Sequence, residues 1–218
     1  MEIKRLVTLI SFLVVFPWSL ECEAGFSFSK ESVEHISVKY GLDAIKRIGL
    51  YEKLINTLKT KNDFEKLLAV NDFVNQMQWV SDQYAWGVED HWASPLESLG
   101  RNMGDCEDYV ISKYFALRRA GISDDKLYFT YVKAIGYDKV HMILVYYPSA
   151  KAIPLVLDNI NKKILPGTHR SELIPVYSFN AKSLFLARQA GQGALIPGKD
   201  KQNKKWVDFL VNLEKESL

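Results

Sequence analysis

Residues 104–114 read GDCEDYVISKY, a cysteine set among three carboxylates at the point where an apolar-periodic run begins. Beyond it Tyr109, Val110, Tyr114 and Leu117 share one face at helical spacing, and Ala120-Gly121 closes the run. A helix is therefore expected to open at Cys106. Two opposed influences then meet on one sulfur. The unpaired N–H groups of a first helical turn favour a thiolate and can donate to a developing oxyanion. Asp105, Glu107 and Asp108 oppose ionisation by their charge. Those acids also cap a helix and complement its dipole, a structural reason for their presence that needs no chemistry.

A nucleophilic thiol needs a base, and the base needs a group that orients it. The chain has four histidines, His35, His91, His141 and His169. His141 begins the apolar strand VHMILVYYP (140–148), and IPLVLDNI (153–160) follows after a turn around PSAK. With Pro148–Lys151 as the loop, the hairpin register sets His141 directly opposite Asp158, their Cβ atoms roughly 5 Å apart. The expected constellation is Cys106 as nucleophile, His141 as base and Asp158 as the orienting carboxylate. A divalent cation would reconcile the thiol with its acidic neighbours. Calcium prefers carboxylate and carbonyl oxygens, so the expected site uses Asp105 and Glu107, with Asp108 or loop carbonyls as further ligands. The spacing is not that of an EF-hand.

Upstream of this centre the pattern is helical. Residues 25–40 read as a short helix or arm, and Asp43–Leu58 as a helix with Ala44, Ile45, Ile48, Leu54, Ile55 and Leu58 inward. A further helix runs from a cap at Asp63 to about Trp79, with Phe64, Leu67, Leu68, Phe73, Val74 and Met77 on its core face. Between Trp79 and Gly104 a long connection is expected, with one short helical turn near Pro95. Trp86 and Trp92 in it either line a substrate groove or cover the core edge. After Gly121 the period changes. KLYFTYVKAI (126–135), the hairpin and LIPVYSFN (173–180) read as strands, and WVDFLVNLEK (206–215) as a closing amphipathic helix. Helices first and an antiparallel sheet after them make an α+β domain.

The 218 residues are 48% apolar and 25% charged, which suits one globular domain, and a net charge of +2 gives no footprint for nucleic acid. The Lys-rich stretch GKDKQNKKW (198–206) reads as a solvated loop and helix start. At the N-terminus Lys4 and Arg5 precede an apolar run, Leu6–Phe16, followed by Pro17 and Cys22-Glu23-Ala24. These are the parts of a secretory signal over residues 1–24, cleaved after Ala24, leaving a single domain over 25–218. The run is short for a membrane span, and Glu21 stands where a lipoprotein signal has a small residue. Export to the periplasm is expected. Of the two cysteines, Cys22 leaves with the signal, and Cys106 remains without an internal disulfide partner in an oxidising compartment.

Four blocks in order, WGVEDHWASPLESL (86–99), GDCEDYVISKYFALRRAGI (104–122), YVKAI…HMILVYYP (131–148) and LVLDNI (155–160), resemble the bacterial transglutaminase-like cysteine proteinases. The resemblance is clearest from about residue 60 to Asn180. It implies a papain-like or transglutaminase-like α+β fold, with the nucleophile helix packed on the sheet, and a Cys-His-Asp triad of Cys106, His141 and Asp158. It further implies calcium held by Asp105 and Glu107, and release of a large repeat-containing surface adhesin by cleavage near its N-terminus. The implied inhibitor is the periplasmic domain of an inner-membrane cyclic di-GMP receptor. Two other readings of the same residues stand beside this one: a transglutaminase or amidase using the same triad, and a non-catalytic calcium-binding periplasmic module.

Overall fold

The structure, a computed structural model, describes residues 25–136, 140–180, 184–189, 192–194 and 203–216. The expected export signal, its cleavage point and the first half of the Lys-rich stretch lie outside the described residues. No helix among the described residues is long and apolar enough to cross a membrane.

Three helices come first: α1 (Lys30–Tyr40), α2 (Leu42–Leu58) and α3 (Asp63–Val74). Gly41 separates α1 from α2 at φ +78°, a conformation open to glycine and strained for other residues. Along α2, Ala44, Ile48, Tyr51, Ile55 and Leu58 are buried at three- and four-residue intervals, while Ile45 stays at the rim. The cap of α3 is Asn62, not Asp63. The Asn62 side chain accepts from the Glu65 N–H at 3.0 Å, and the Glu65 carboxylate takes the Asn62 N–H at 3.2 Å. Asp63 instead binds Lys126 and the Tyr146 hydroxyl, at 2.9 and 2.6 Å. Helix α3 stops at Val74. It buries Leu67, Val70 and Val74, while Phe64 and Leu68, expected inside, are exposed.

The connection to the cysteine carries more structure than its sequence suggested. Strand β1 (Gln78–Trp79) pairs in parallel with β2 (Met103–Gly104), and α4 (Asp82–Ala85) and α5 (Pro95–Arg101) lie between them. Ser94 caps α5 in a reciprocal box with Glu97, and Pro95 takes the first helical position, where its missing N–H costs nothing. Trp92 is buried and stacks on Phe179, and Trp86 lies under Arg101. Both tryptophans therefore cover the core edge.

Helix α6 (Cys106–Arg119) follows, and its expected face is buried throughout: Tyr109, Val110, Tyr114 and Leu117. The remaining strands are β3 (Leu127–Ala134), β4 (Val140–Tyr146), β5 (Leu155–Leu157), β6 (Leu165–Pro166), β7 (Leu173–Phe179) and β8 (Leu184–Leu186). They form one antiparallel sheet in the order β6-β5-β4-β3-β7-β8. Helix α7 (Lys204–Glu216) closes the chain, with Asn203 accepting from the Lys205 and Trp206 N–H groups at its start.

The fold is the expected α+β arrangement. The apolar faces of α2, α3 and α6 gather with Phe129, Met142, Leu144, Leu157 and Phe179 of the sheet and Trp206 of α7 in one core. Complete burial of a side chain such as Ile111 or Leu117 stabilises by about 1.5–3 kcal/mol. Tyr51 adds a polar tie between α2 and α6, its hydroxyl donating to the Ser112 carbonyl at 2.7 Å. Helix α6 is thus fixed on both sides, and its first residue is held against the start of β4.

Candidate active site

Cys106 is the first residue of α6, and Asp105 precedes it as N-cap in extended backbone. The bend into the helix depends on close approach. A Cβ added at Gly104 would stand 2.5 Å from Asp108 Oδ2. Asp108 cannot swing away, because it is fully buried and accepts from the Ala93 N–H at 2.8 Å and the Asp105 N–H at 3.3 Å. Gly104→Ala is accordingly expected to cost about 1–3 kcal/mol, read as a lower denaturant midpoint at unchanged slope.

The thiol lines a cleft of about 910 Å³ together with Asp105, Glu107, His141, Asn159, Ile160, Val140 and Trp79. Opposite α6, β4 carries His141, buried, with Nε2 2.8 Å from Asp158 Oδ1. That contact assigns Nε2 as the donor and leaves Nδ1 as the basic nitrogen. Cys106 and His141 share this cleft and Asp158 bonds the ring, through a hairpin register different from the expected one. Leu144 pairs with Leu157, Val145 with Val156 and Tyr146 with Leu155. Continuing this ladder would set Ile143, not His141, across from Asp158. The connection between β4 and β5 is wider than a tight turn at Pro148–Lys151, and the register shifts by two residues. An even shift keeps every side chain on its face, so Asp158 becomes the diagonal neighbour of His141. Strand β5 ends at Leu157, and Asp158 turns toward the ring from just beyond it.

Asp158 is almost wholly buried, which opposes its ionisation. Hydrogen bonds from His141 and Arg170 and from the Ile160 N–H outweigh that, and hold the carboxyl well below the usual range. The thiol shows the reverse. Burial, the charges of Glu107 and Asp105, and its 3.1 Å hydrogen bond to Glu107 Oε2 raise the pKa of Cys106 well above its ordinary value. A hydrogen bond from the Met142 backbone opposes the rise without cancelling it.

The acids form a larger cluster than the sequence suggested. Carboxylate oxygens of Asp82, Asp90 and Glu107 lie within 4.8 Å of one another, as do those of Asp82, Asp105 and Asp108. Burial first, then the charge of Glu107, raises the pKa of Asp105. Oδ1 of Asp82 and Oδ1 of Asp105 are buried without a protein partner. A hard divalent cation fits these residues, since it would supply the missing partner for both oxygens and offset the charge. Asp108 is less suited than expected, because backbone N–H groups occupy both of its oxygens.

A statistical model of the family described as bacterial transglutaminase-like cysteine proteinase BTLCP matches residues 50–172. The chain belongs to this family of cysteine proteinases. Among solved structures of the family's fold, Legionella pneumophila LapG in its calcium-bound form is 35% identical, with a TM-score of 0.71, covering 84% of this chain and 98% of its own. The EGTA-treated form of the same protein gives the same identity and TM-score over 86% of this chain. No curated protein matches.

Four site residues of this cysteine proteinase, Asp82, Asp90, Lys113 and Arg170, escaped the sequence reading. Asp82 opens α4 in the connection before the cysteine, and nothing in its neighbours separates it from an ordinary helix-start acid. Lys113 lies fully buried on α6, its Nζ 3.1 Å from the Asp158 carbonyl, and burial pushes its pKa down to about 7. A lysine between Tyr109, Val110, Tyr114 and Leu117 was the available signal. Arg170, in the turn before β7, donates from Nη2 to Asp158 Oδ2 at 2.6 Å. His35, His91 and His169 do not line the cleft that holds Cys106.

Proposed function

We propose that this chain is an exported, calcium-dependent cysteine endopeptidase that releases a large surface adhesin. The observation that carries the catalytic part is the shared cleft, in which Cys106 at a helix start faces a histidine oriented through Nε2 by Asp158. His141 Nδ1 takes the thiol proton, and the thiolate attacks the scissile carbonyl carbon. The oxyanion accepts from the Cys106 backbone N–H, which has no partner within the first turn. Collapse breaks the C–N bond, and His141 gives its proton to the leaving amine. A water molecule, deprotonated by Nδ1, then attacks the thioester and releases the acid and the thiol.

Asp105 and Glu107, with Asp82 and Asp90, would hold the calcium. Its contribution when bound is charge compensation for the carboxylates beside the thiol. The calcium-bound state of LapG supports calcium as the ion. Trp79 at 59% exposure, Val140 and Ile160 give the cleft apolar walls around the nucleophile.

The resemblance to adhesin-releasing members supports a periplasmic location. It also supports inhibition by the periplasmic domain of a LapD-like inner-membrane cyclic di-GMP receptor. Incubating the purified protein with N-terminal adhesin fragments from the same organism, with calcium, is expected to give two fragments and one new N-terminus. Intact fragments would refute the adhesin reading, and crosslinked products without new termini would favour a transglutaminase.

A further inference from the structure

Asp158 has one oxygen for His141, and what occupies the other decides whether that pairing is fixed. Oδ1 takes His141 Nε2 at 2.8 Å and the Ile160 N–H at 3.0 Å. Oδ2 takes Arg170 Nη2 at 2.6 Å. The guanidinium is itself held. Arg170 is 2% exposed, and its Nε donates to Glu172 Oε1 at 2.5 Å. Its backbone N–H bonds the Gly167 carbonyl, and its carbonyl accepts from the Leu173 N–H, so both sides of the residue are tied into the turn before β7. Helix α6 and the residue that ends α3 hold the Asp158 main chain from the other side, with Lys113 Nζ and Asn75 Nδ2 both donating to its carbonyl. The carboxylate therefore has no free rotation.

We infer that Arg170 is a positioning residue of the catalytic centre, clamping Asp158 so that its Oδ1 stays on His141 Nε2. This rests on the proposed roles of His141 and Asp158. A carboxylate buried at 1% exposure, with the histidine as its sole ionic partner, would gain by taking up a proton or turning away. Either change frees the ring to adopt the other tautomer, in which Nδ1 carries the proton and cannot receive one from the thiol. Arginine suits the place because its fork meets Asp158 and Glu172 at once, and its charge persists at all working pH values. A lysine offers one mobile ammonium and would reach one carboxylate at a time.

The test compares the full chain with Arg170→Lys and Arg170→Met. Ring nitrogens of ¹⁵N-labelled histidine should report a single Nε2–H tautomer for His141 in the parent protein, assigned by its loss in His141→Gln. In Arg170→Met that signature should become mixed. kcat should fall on the order of 10²-fold, as for a misplaced catalytic group, with KM within about 2-fold. The acid limb of the kcat/KM profile should move upward in pH, because Asp158 would protonate more readily. Arg170→Lys should recover part of the loss. A parent-like tautomer and acid limb in folded Arg170→Met would overturn the inference. The parent protein supplies a check that needs no variant: the Arg170 guanidinium protons should exchange slowly, and a freely rotating guanidinium would overturn it equally. The tautomer reading needs no substrate, so it fails or holds separately from the proposed protease function.

Discussion

Cys106→Ala is expected to abolish peptide-bond cleavage, a loss of roughly 10⁴-fold or more, while the folded protein persists. Every step of the proposed reaction passes through the sulfur, so no neighbouring group can substitute for part of it. The substitution removes one half-buried atom whose hydrogen bonds go to Glu107, next to it in sequence, and to the Met142 backbone. The core behind α6 is untouched, since Tyr109, Val110, Tyr114 and Leu117 keep their contacts. Stability should change by less than about 1 kcal/mol, and it should rise if the thiol is a net burden among the acids. The measurement pairs an N-terminal product assay with a denaturant melt on the same sample. Cleavage by the folded variant at more than about a hundredth of the parent rate would remove the sulfur from the mechanism. Loss of folding would instead assign Cys106 a packing role, the reading that suits a non-catalytic module.

Much of this centre was legible because it depends on periodicity and residue type. The helix opening at Cys106 follows from an apolar stripe and a run of acids. The strand nature of β4 follows from its β-branched and apolar residues. What alternation determines is the face of a side chain and not its partner across the hairpin. The pairing of His141 with Asp158 was therefore right in face and wrong in register. Arg170 lay beyond reach for a different reason. It belongs to an irregular turn, where no period operates, and its partner is fixed only once the whole sheet has formed. Asp82 reads as an ordinary helix-start acid until the fold brings it beside Asp105. Asn62 and Asp63 show the same limit at one residue's scale. Both are good caps, and the choice between them was settled by Lys126 and Tyr146, far along the chain.

Removing calcium is expected to suppress activity by about 100-fold or more, and the sign of the accompanying thiol chemistry can be worked out. With no cation, burial and then the charges of Glu107 and Asp105 hold the Cys106 pKa well above its ordinary 9.0. At pH 7.5 the thiol form then predominates, and it donates to Glu107. Adding a divalent charge to the acid cluster lowers that pKa, so alkylation of Cys106 by a small neutral reagent at pH 7.5 should quicken on calcium addition. Glu107→Gln separates charge from ligation. It removes the largest single charge acting on the sulfur, so its alkylation without calcium should exceed that of the calcium-free parent. It also removes a ligand, so its response to calcium should weaken. Asp82→Asn should weaken calcium binding, measured by calorimetry, while leaving calcium-free alkylation close to the parent rate. Its carboxylate belongs to the acid cluster but is not among the main influences on the thiol. Equal alkylation rates for the parent with chelator and with calcium, together with no heat of calcium binding, would refute the site and return the acids to helix-start chemistry.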